Sequence, residues 1–205
     1  MEVVYCSNIC TQQYEPKLMI TIDSVNKMFS HPPIFVASNG IETFSGQVTP
    51  NVRLKKWGEN QGWQLGALNG ALQALRFAAE SLPSVNCPIV FSHEDIQPVN
   101  KEKIVSVFNQ MDDCDVFCRK YVGSLHHTPD IRYPYYMIEC MVFTPKALSR
   151  FVDVQPMNQL HDGKGAEEMM GFLLTNMGFR VKCIPIQANT EMIENEMGFL
   201  HNHIH

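Results

Sequence analysis

The residues best equipped for chemistry stand in a row, His93-Glu94-Asp95. An imidazole beside two carboxylates can ligate a divalent cation or move a proton. They follow Ile89 to Ser92, in a segment bounded by Pro88 and Pro98. A short apolar run with such bounds reads as a fully buried strand. A buried parallel strand delivers its C-terminal end to the ligand crevice. The three polar residues are therefore expected at the lip of a central strand. A continuing pleat would put His93 and Asp95 on one side and Glu94 on the other. The alternative is a strand end with ordinary solvated polar residues.

Other polar groups fall at element ends. Glu167 and Glu168 open a helix after the turn Gly163-Lys164-Gly165, with Asp162 just before it. Carboxylates in a first helical turn are favoured by the macrodipole whatever else they do. Ser7, Asn8, Ser38 and Asn39 end the first two strands. Asn60, Gly62 and Asn69 lie at the start of a Gly- and Ala-rich helix, either as a tight turn with close packing or as a site where backbone approaches a ligand. Glu139 sits inside an apolar strand, so it either faces the crevice or pairs with an arginine such as Arg119 or Arg132. The tail His201-Asn202-His203-Ile204-His205 reads as an exposed terminus.

Strands and helices must place these groups. Strands are predicted at Glu2 to Ser7, Ile34 to Ala37, Val52 to Leu54, Ile89 to Ser92, Val116 to Cys118, Tyr135 to Phe143 and Phe179 to Ile186. Helices are predicted at Lys17 to Ser30, Gln64 to Leu82, Lys101 to Met111, Pro145 to Phe151 (with Thr144 as N-cap) and Gly165 to Met177. Gln187 to His205 is expected to be a polar tail. The alternation predicts one α/β domain over residues 1–205, an α/β/α sandwich with a mostly parallel central sheet. Residues 1–100 and residues 101–186 form its two halves, followed by the tail.

Composition excludes several classes. The 205 residues are 45% hydrophobic and 18% charged, with net charge −5, an ordinary globular balance. No basic stripe is present to neutralise phosphates, so no nucleic-acid partner is expected. The seven cysteines include no CxxC pair, and reduced core thiols are expected. No apolar run reaches the length of a transmembrane helix. A cytoplasmic location is the expectation.

Four stretches in order resemble the GT-A type of nucleotide-sugar glycosyltransferase. They are the first strand with its polar exit, Asn60-x-Gly62-x-x-x-Gly66-Ala67-x-Asn69-Gly70, Ile89 to Ile96, and Gly163 to Glu168. Together they span roughly residues 1 to 186. The family's Asp-x-Asp reads His93-Glu94-Asp95 here, keeping only the final Asp. The resemblance implies a nucleoside diphosphate sugar as donor and a glycan, lipid or protein as acceptor. It implies Mn²⁺ or Mg²⁺ on Asp95, with His93 and a tail histidine, His203, as further ligands. It implies nucleotide-sugar contacts from Ser7, Asn8, Ser38, Asn39, Asn60, Gly62, Asn69 and Glu94. It implies a catalytic base among Glu167, Glu168 and Asp162. A binding module without turnover is a second reading, and a sugar-phosphate nucleotidyltransferase a third. The third class usually carries a Gly-rich basic loop after the first strand, and Asn8 to Pro16 contains neither Gly nor a basic residue.

Overall fold

Strand β1 (Val4–Ile9) is buried at every residue, because it runs in the middle of a parallel sheet covered on both faces. The computed structural model describes residues 2–59, 61–121, 134, 136–160, 165–186 and 194–201. β1 lies two residues later than expected, since Asn8 and Ile9 still pair with Ala37 and Ser38 of β2 (Ile34–Ser38). Helix α1 (Glu15–Phe29) links them, with Pro16 in its first turn and its end where Ser30 and His31 turn left-handed before Pro32. Then come edge strand β3 (Val52–Lys56), α2 (Trp63–Ser81) and β4 (Ile89–Ser92).

β4 is followed by β5 (Ile96–Pro98), α3 (Lys101–Phe108), β6 (Val116–Tyr121) and β7 (Tyr136–Phe143). The chain continues through α4 (Pro145–Leu148), α5 (Ala166–Asn176), β8 (Val181–Ile186) and β9 (Phe199–His201). The seven-stranded sheet has the order β3-β2-β1-β4-β7-β6-β8. Four of its six pairings are parallel, and only β7 runs against its neighbours.

Strict alternation along the strands builds two cores. Tyr5, Ile34, Val36 and Val90 face α1 and α3, while Val4, Cys6, Phe35 and Phe91 face α2, α4 and α5. Gly70 lets α2 settle onto β1, since a Cβ there would lie 2.7 Å from that of Asn8. Thr144 caps α4 by accepting from the Ala147 amide at 3.2 Å, as its sequence predicts. All seven cysteines are free thiols. No helix among the described residues is long and apolar enough to cross a membrane.

The C-terminal stretch differs from expectation. Residues 194–201 return to the fold, and β9 pairs antiparallel with β5, placing His201 opposite Ile96. Met197 and Phe199 are fully buried in the α1/α3 core, which is what draws this stretch in.

Candidate functional site

The chain winds from β1 outward to β2 and β3, then crosses back to β4 on the other side of β1. In open α/β sheets, ligands bind at such a switch point, beyond the C-terminal strand ends. The exit of β1 at Cys10 and the exit of β4 at His93 meet here. β4 stops at Ser92, and His93 to Ile96 close a turn in which the Ile96 amide donates to the His93 carbonyl at 3.1 Å. The pleat therefore does not continue, and the alternation expected for His93, Glu94 and Asp95 is replaced by turn geometry. The His93 amide donates to the Glu139 carbonyl at 3.0 Å. The His93 ring meets Phe91 edge-on, centroids 5.6 Å apart.

Glu94 and Asp95 are only 6% and 8% exposed. Burial pushes the Glu94 carboxyl up to about 8. Its own backbone amide opposes this, the Asp95 charge adds to it, and Lys17 on α1 lowers it. The Cys10 thiol is pushed up to about 12 by burial and by the charges of Glu94 and Asp95. Cys10 and Lys17 thus belong to the site's surroundings, although neither has a sequence signal. A cysteine after a strand and a lysine in a helix are too common to single out.

A raised carboxyl has a consequence for stability. The native state keeps the Glu94 proton up to about pH 8, whereas the unfolded chain releases it near the ordinary 4.5. The contribution is complete below 4.5 and is lost as pH rises through 8. Without a cation, wild-type stability should fall by about 1.4 kcal/mol per pH unit across that window. Glu94→Gln should remove most of this slope, as read by urea unfolding at pH 6 and pH 9. An unchanged slope would place the proton uptake elsewhere.

The other expected site residues divide into groups. Ser7 is fully buried and donates to the Ser92 carbonyl at 2.7 Å, between strands. Ser38 accepts from the amides of Gly40 and Ile41, at 3.2 and 2.8 Å, and so shapes the loop after β2. Asn39 ties that loop to α2 by donating to the Gly66 carbonyl at 3.3 Å. Asn8 is 1% exposed, and its Oδ1 has no hydrogen-bond partner. Asn69 donates to the Met157 carbonyl at 2.7 Å and accepts from its amide at 2.8 Å, which pins the loop after α4 to α2, and it also donates to Gln61 Oε1 at 2.6 Å. Gly62 precedes α2 at φ +80, a conformation that favours glycine.

At the start of α5, Glu168 accepts from the Gly165 amide at 2.9 Å and so caps its own helix. Gln64 of α2 accepts from the Ala166 amide at 2.7 Å, joining the two helix starts at the same end of the sheet as the turn. Glu167 lies at that junction, its Oε2 3.4 Å from where a Gly165 Cβ would be. Asn60, Asp162 and His203 lie outside the described residues. His201 is placed by its backbone in β9, beside the residue after Asp95.

Glu139 takes the paired option. Arg119 Nη1 lies 2.5 Å from Glu139 Oε1, and its Nε lies 3.1 Å from Glu196 Oε2. The pairing of β6 with β7 slips between Cys118 and Arg119, and such irregularities re-aim side chains at sheet edges and sites. A cavity of about 510 Å³, lined by Val3, Pro33, Leu82 and Cys87, lies at the opposite end of the sheet. Strand N-termini are not where this architecture presents ligands, so the turn is the better site.

Among the described residues no group of three or more His, Cys, Asp and Glu is placed to hold a metal. Mg²⁺ and Mn²⁺ do not require one. They are commonly held by one or two carboxylates, with substrate phosphates and water as the other ligands. Two adjacent buried carboxyls, one of them reluctant to ionise, fit that donor set.

No family model matches the chain, and no curated protein does. Solved structures match it by fold. A glycosyltransferase involved in glycosylation of the major capsid of PBCV-1 aligns with TM-score 0.55 and 13% identity, over 100% of this chain and 96% of that one. The mannosyltransferase PcManGT from Pyrobaculum calidifontis, solved with GDP-Man and Mn²⁺, gives 0.54 and 13%, over 90% of this chain and 55% of that one. The bifunctional IspDF from Campylobacter jejuni gives 0.53 and 12%, over 92% of this chain and 50% of that one. The chain spans about half the length of the last two. The fold is thus an α/β sandwich of the nucleotide-diphospho-sugar transferase type.

Proposed function

We propose that this chain transfers a sugar from a nucleoside diphosphate sugar to an acceptor hydroxyl, with a divalent cation at the Glu94–Asp95 turn. The observation that carries this reading is the pair of buried carboxyls on one turn at the β1/β4 switch point. A bound Mn²⁺ or Mg²⁺ would neutralise the charge that builds on the leaving diphosphate. Asp95 and Glu94 would hold it through their carboxylate oxygens. Asn8, with its open amide oxygen, and Asn39 would border the nucleoside at the ends of β1 and β2. Gly62 would let the backbone at the start of α2 approach the diphosphate, where helix amides favour anions.

Glu167 is the base we assign, from its place where the starts of α2 and α5 meet, while Glu168 caps its own helix. It would take the proton of the acceptor hydroxyl as that oxygen attacks the anomeric carbon. The acceptor, a glycan, lipid or protein, would lie on the second half of the chain, about residues 119 to 170. The β1 exit, Asn8 to Pro16, lacks both Gly and basic residues, which favours sugar transfer over nucleotidyl transfer.

Thermal shifts with UDP-, GDP- and CDP-sugars, each with and without Mn²⁺, test the proposal. One nucleotide sugar with Mn²⁺ at a hundredfold excess over its Kd should raise Tm by about 5–10 °C. No response in any condition would overturn the reading. A response without sugar release would identify a binding module instead.

A further inference from the structure

Four hydroxyls lie in the otherwise apolar core directly beneath the carboxylate turn. Tyr5, Ser7, Thr21 and Ser92 are each fully buried. Tyr5 and Ser7 lie on one face of β1, Ser92 is the register partner of Ser7 on β4, and Thr21 reaches in from α1. Each is engaged with the turn or its base. Ser7 Oγ donates to the Ser92 carbonyl at 2.7 Å. Ser92 Oγ donates to the Ile96 carbonyl at 2.8 Å. Ser92 Oγ also lies 3.2 Å from the His93 carbonyl, and since both carbonyls can only accept its proton, the Tyr5 hydroxyl is the donor to Ser92 Oγ. Thr21 Oγ1 donates to the Glu94 carbonyl at 3.2 Å.

Packing alone does not call for these groups. Phe, Ala and Val would fill similar volumes, and a buried hydroxyl costs free energy unless its hydrogen bond is made. Three of the hydroxyls, Ser7, Thr21 and Ser92, bond the main chain from Ser92 to Ile96 that carries Glu94 and Asp95, and Tyr5 bonds the Ser92 hydroxyl. The turn contains no Gly or Pro, the residues that constrain a backbone most strongly, which leaves room for tertiary bonds to fix its geometry.

We propose that Tyr5, Ser7, Thr21 and Ser92 are positioning residues that hold the Glu94–Asp95 turn in the geometry that receives a cation and its diphosphate. This rests on the proposed function for its ligand, while the clasp itself can be judged without one. Supporting shells around metal ligands typically change affinity 10–100-fold when removed.

The test uses Tyr5→Phe, Thr21→Val and Thr21→Ser, with Thr144→Ala as a control that loses a helix cap remote from the turn. Two readouts are taken from each: Mn²⁺-dependent affinity for the nucleoside diphosphate that binds wild type, and amide hydrogen exchange at residues 93–97. Tyr5→Phe and Thr21→Val should weaken that affinity by about tenfold or more and speed exchange at 93–97. Thr21→Ser should restore both, and Thr144→Ala should change neither. Unchanged exchange in Tyr5→Phe and Thr21→Val would overturn the clasp. Faster exchange with unchanged affinity would also overturn it as a positioning device. If wild type binds no nucleotide, the proposed function fails, and exchange alone then decides whether the hydroxyls hold the turn.

Discussion

Asp95→Ala should weaken cation-dependent nucleotide binding at least about a hundredfold, because cation stabilisation of a diphosphate amounts to several kcal/mol. The loss should appear only in the presence of Mn²⁺ or Mg²⁺. Residual affinity without cation should match wild type, since the contacts proposed for Asn8, Asn39 and the start of α2 are untouched. The substitution also removes a charge that raises the Glu94 carboxyl, so the remaining carboxylate becomes easier to ionise. Calorimetric titration with the nucleoside diphosphate, at fixed Mn²⁺, reads this directly. A urea midpoint close to wild type would show that the fold is intact. Equal affinity in both proteins would remove Asp95 from the site.

Arg119→Met should lower the unfolding free energy by about 3 kcal/mol, the lower end of the range for breaking a buried ion pair. Arg119 is 5% exposed and sits between Glu139 and Glu196. Its loss leaves the mostly buried Glu139 carboxylate without its cation. Glu196 is half exposed and is solvated instead, which keeps the cost from rising further. The double variant Arg119→Met/Glu139→Leu should recover most of the loss, because the penalty lies in the orphaned charge rather than in the missing pair. Glu196 also tethers the returning C-terminal stretch, so exchange in β9 should rise in Arg119→Met. A urea midpoint within error of wild type would mean that Glu139 is solvated well enough to stand alone.

Long apolar runs and their punctuation made much of the fold legible. β4 occupies Ile89–Ser92 as read, and the Thr144 cap is in place. Strand direction was less accessible: nothing in the composition of β7 distinguishes an antiparallel strand from a parallel one buried on both faces. β5 and β9 escaped because each has three residues, and their pairing joins Ile96 to His201 across the chain. No local period encodes such a contact. β6 runs on past Cys118 to Tyr121, paired along its whole length with β8, and its Arg119 is matched by Glu139 and Glu196 elsewhere in the chain.

The candidate site was legible in its place more than in its parts. The end of β4 was identifiable from a buried run followed by three polar residues. That those residues form a turn was not, because the turn contains no Gly or Pro and its hydroxyl contacts come from β1, α1 and β4. Ser7 and Asn69 read as ligand contacts because polar residues at strand ends and helix starts often are. In the fold both hydrogen-bond main chain, Ser7 at Ser92 and Asn69 at Met157. Glu167 and Glu168 were equivalent in sequence, and the helix cap distinguishes them.

The most direct measurement is a crystal structure of the chain with Mn²⁺ and the nucleoside diphosphate that raises its Tm, with data collected to locate manganese by anomalous scattering. The proposed function predicts one manganese peak bonded to carboxylate oxygen of Asp95, with the diphosphate between it and the start of α2. A nucleotide bound elsewhere, or bound at the switch point with no manganese on the Glu94–Asp95 turn, would contradict it.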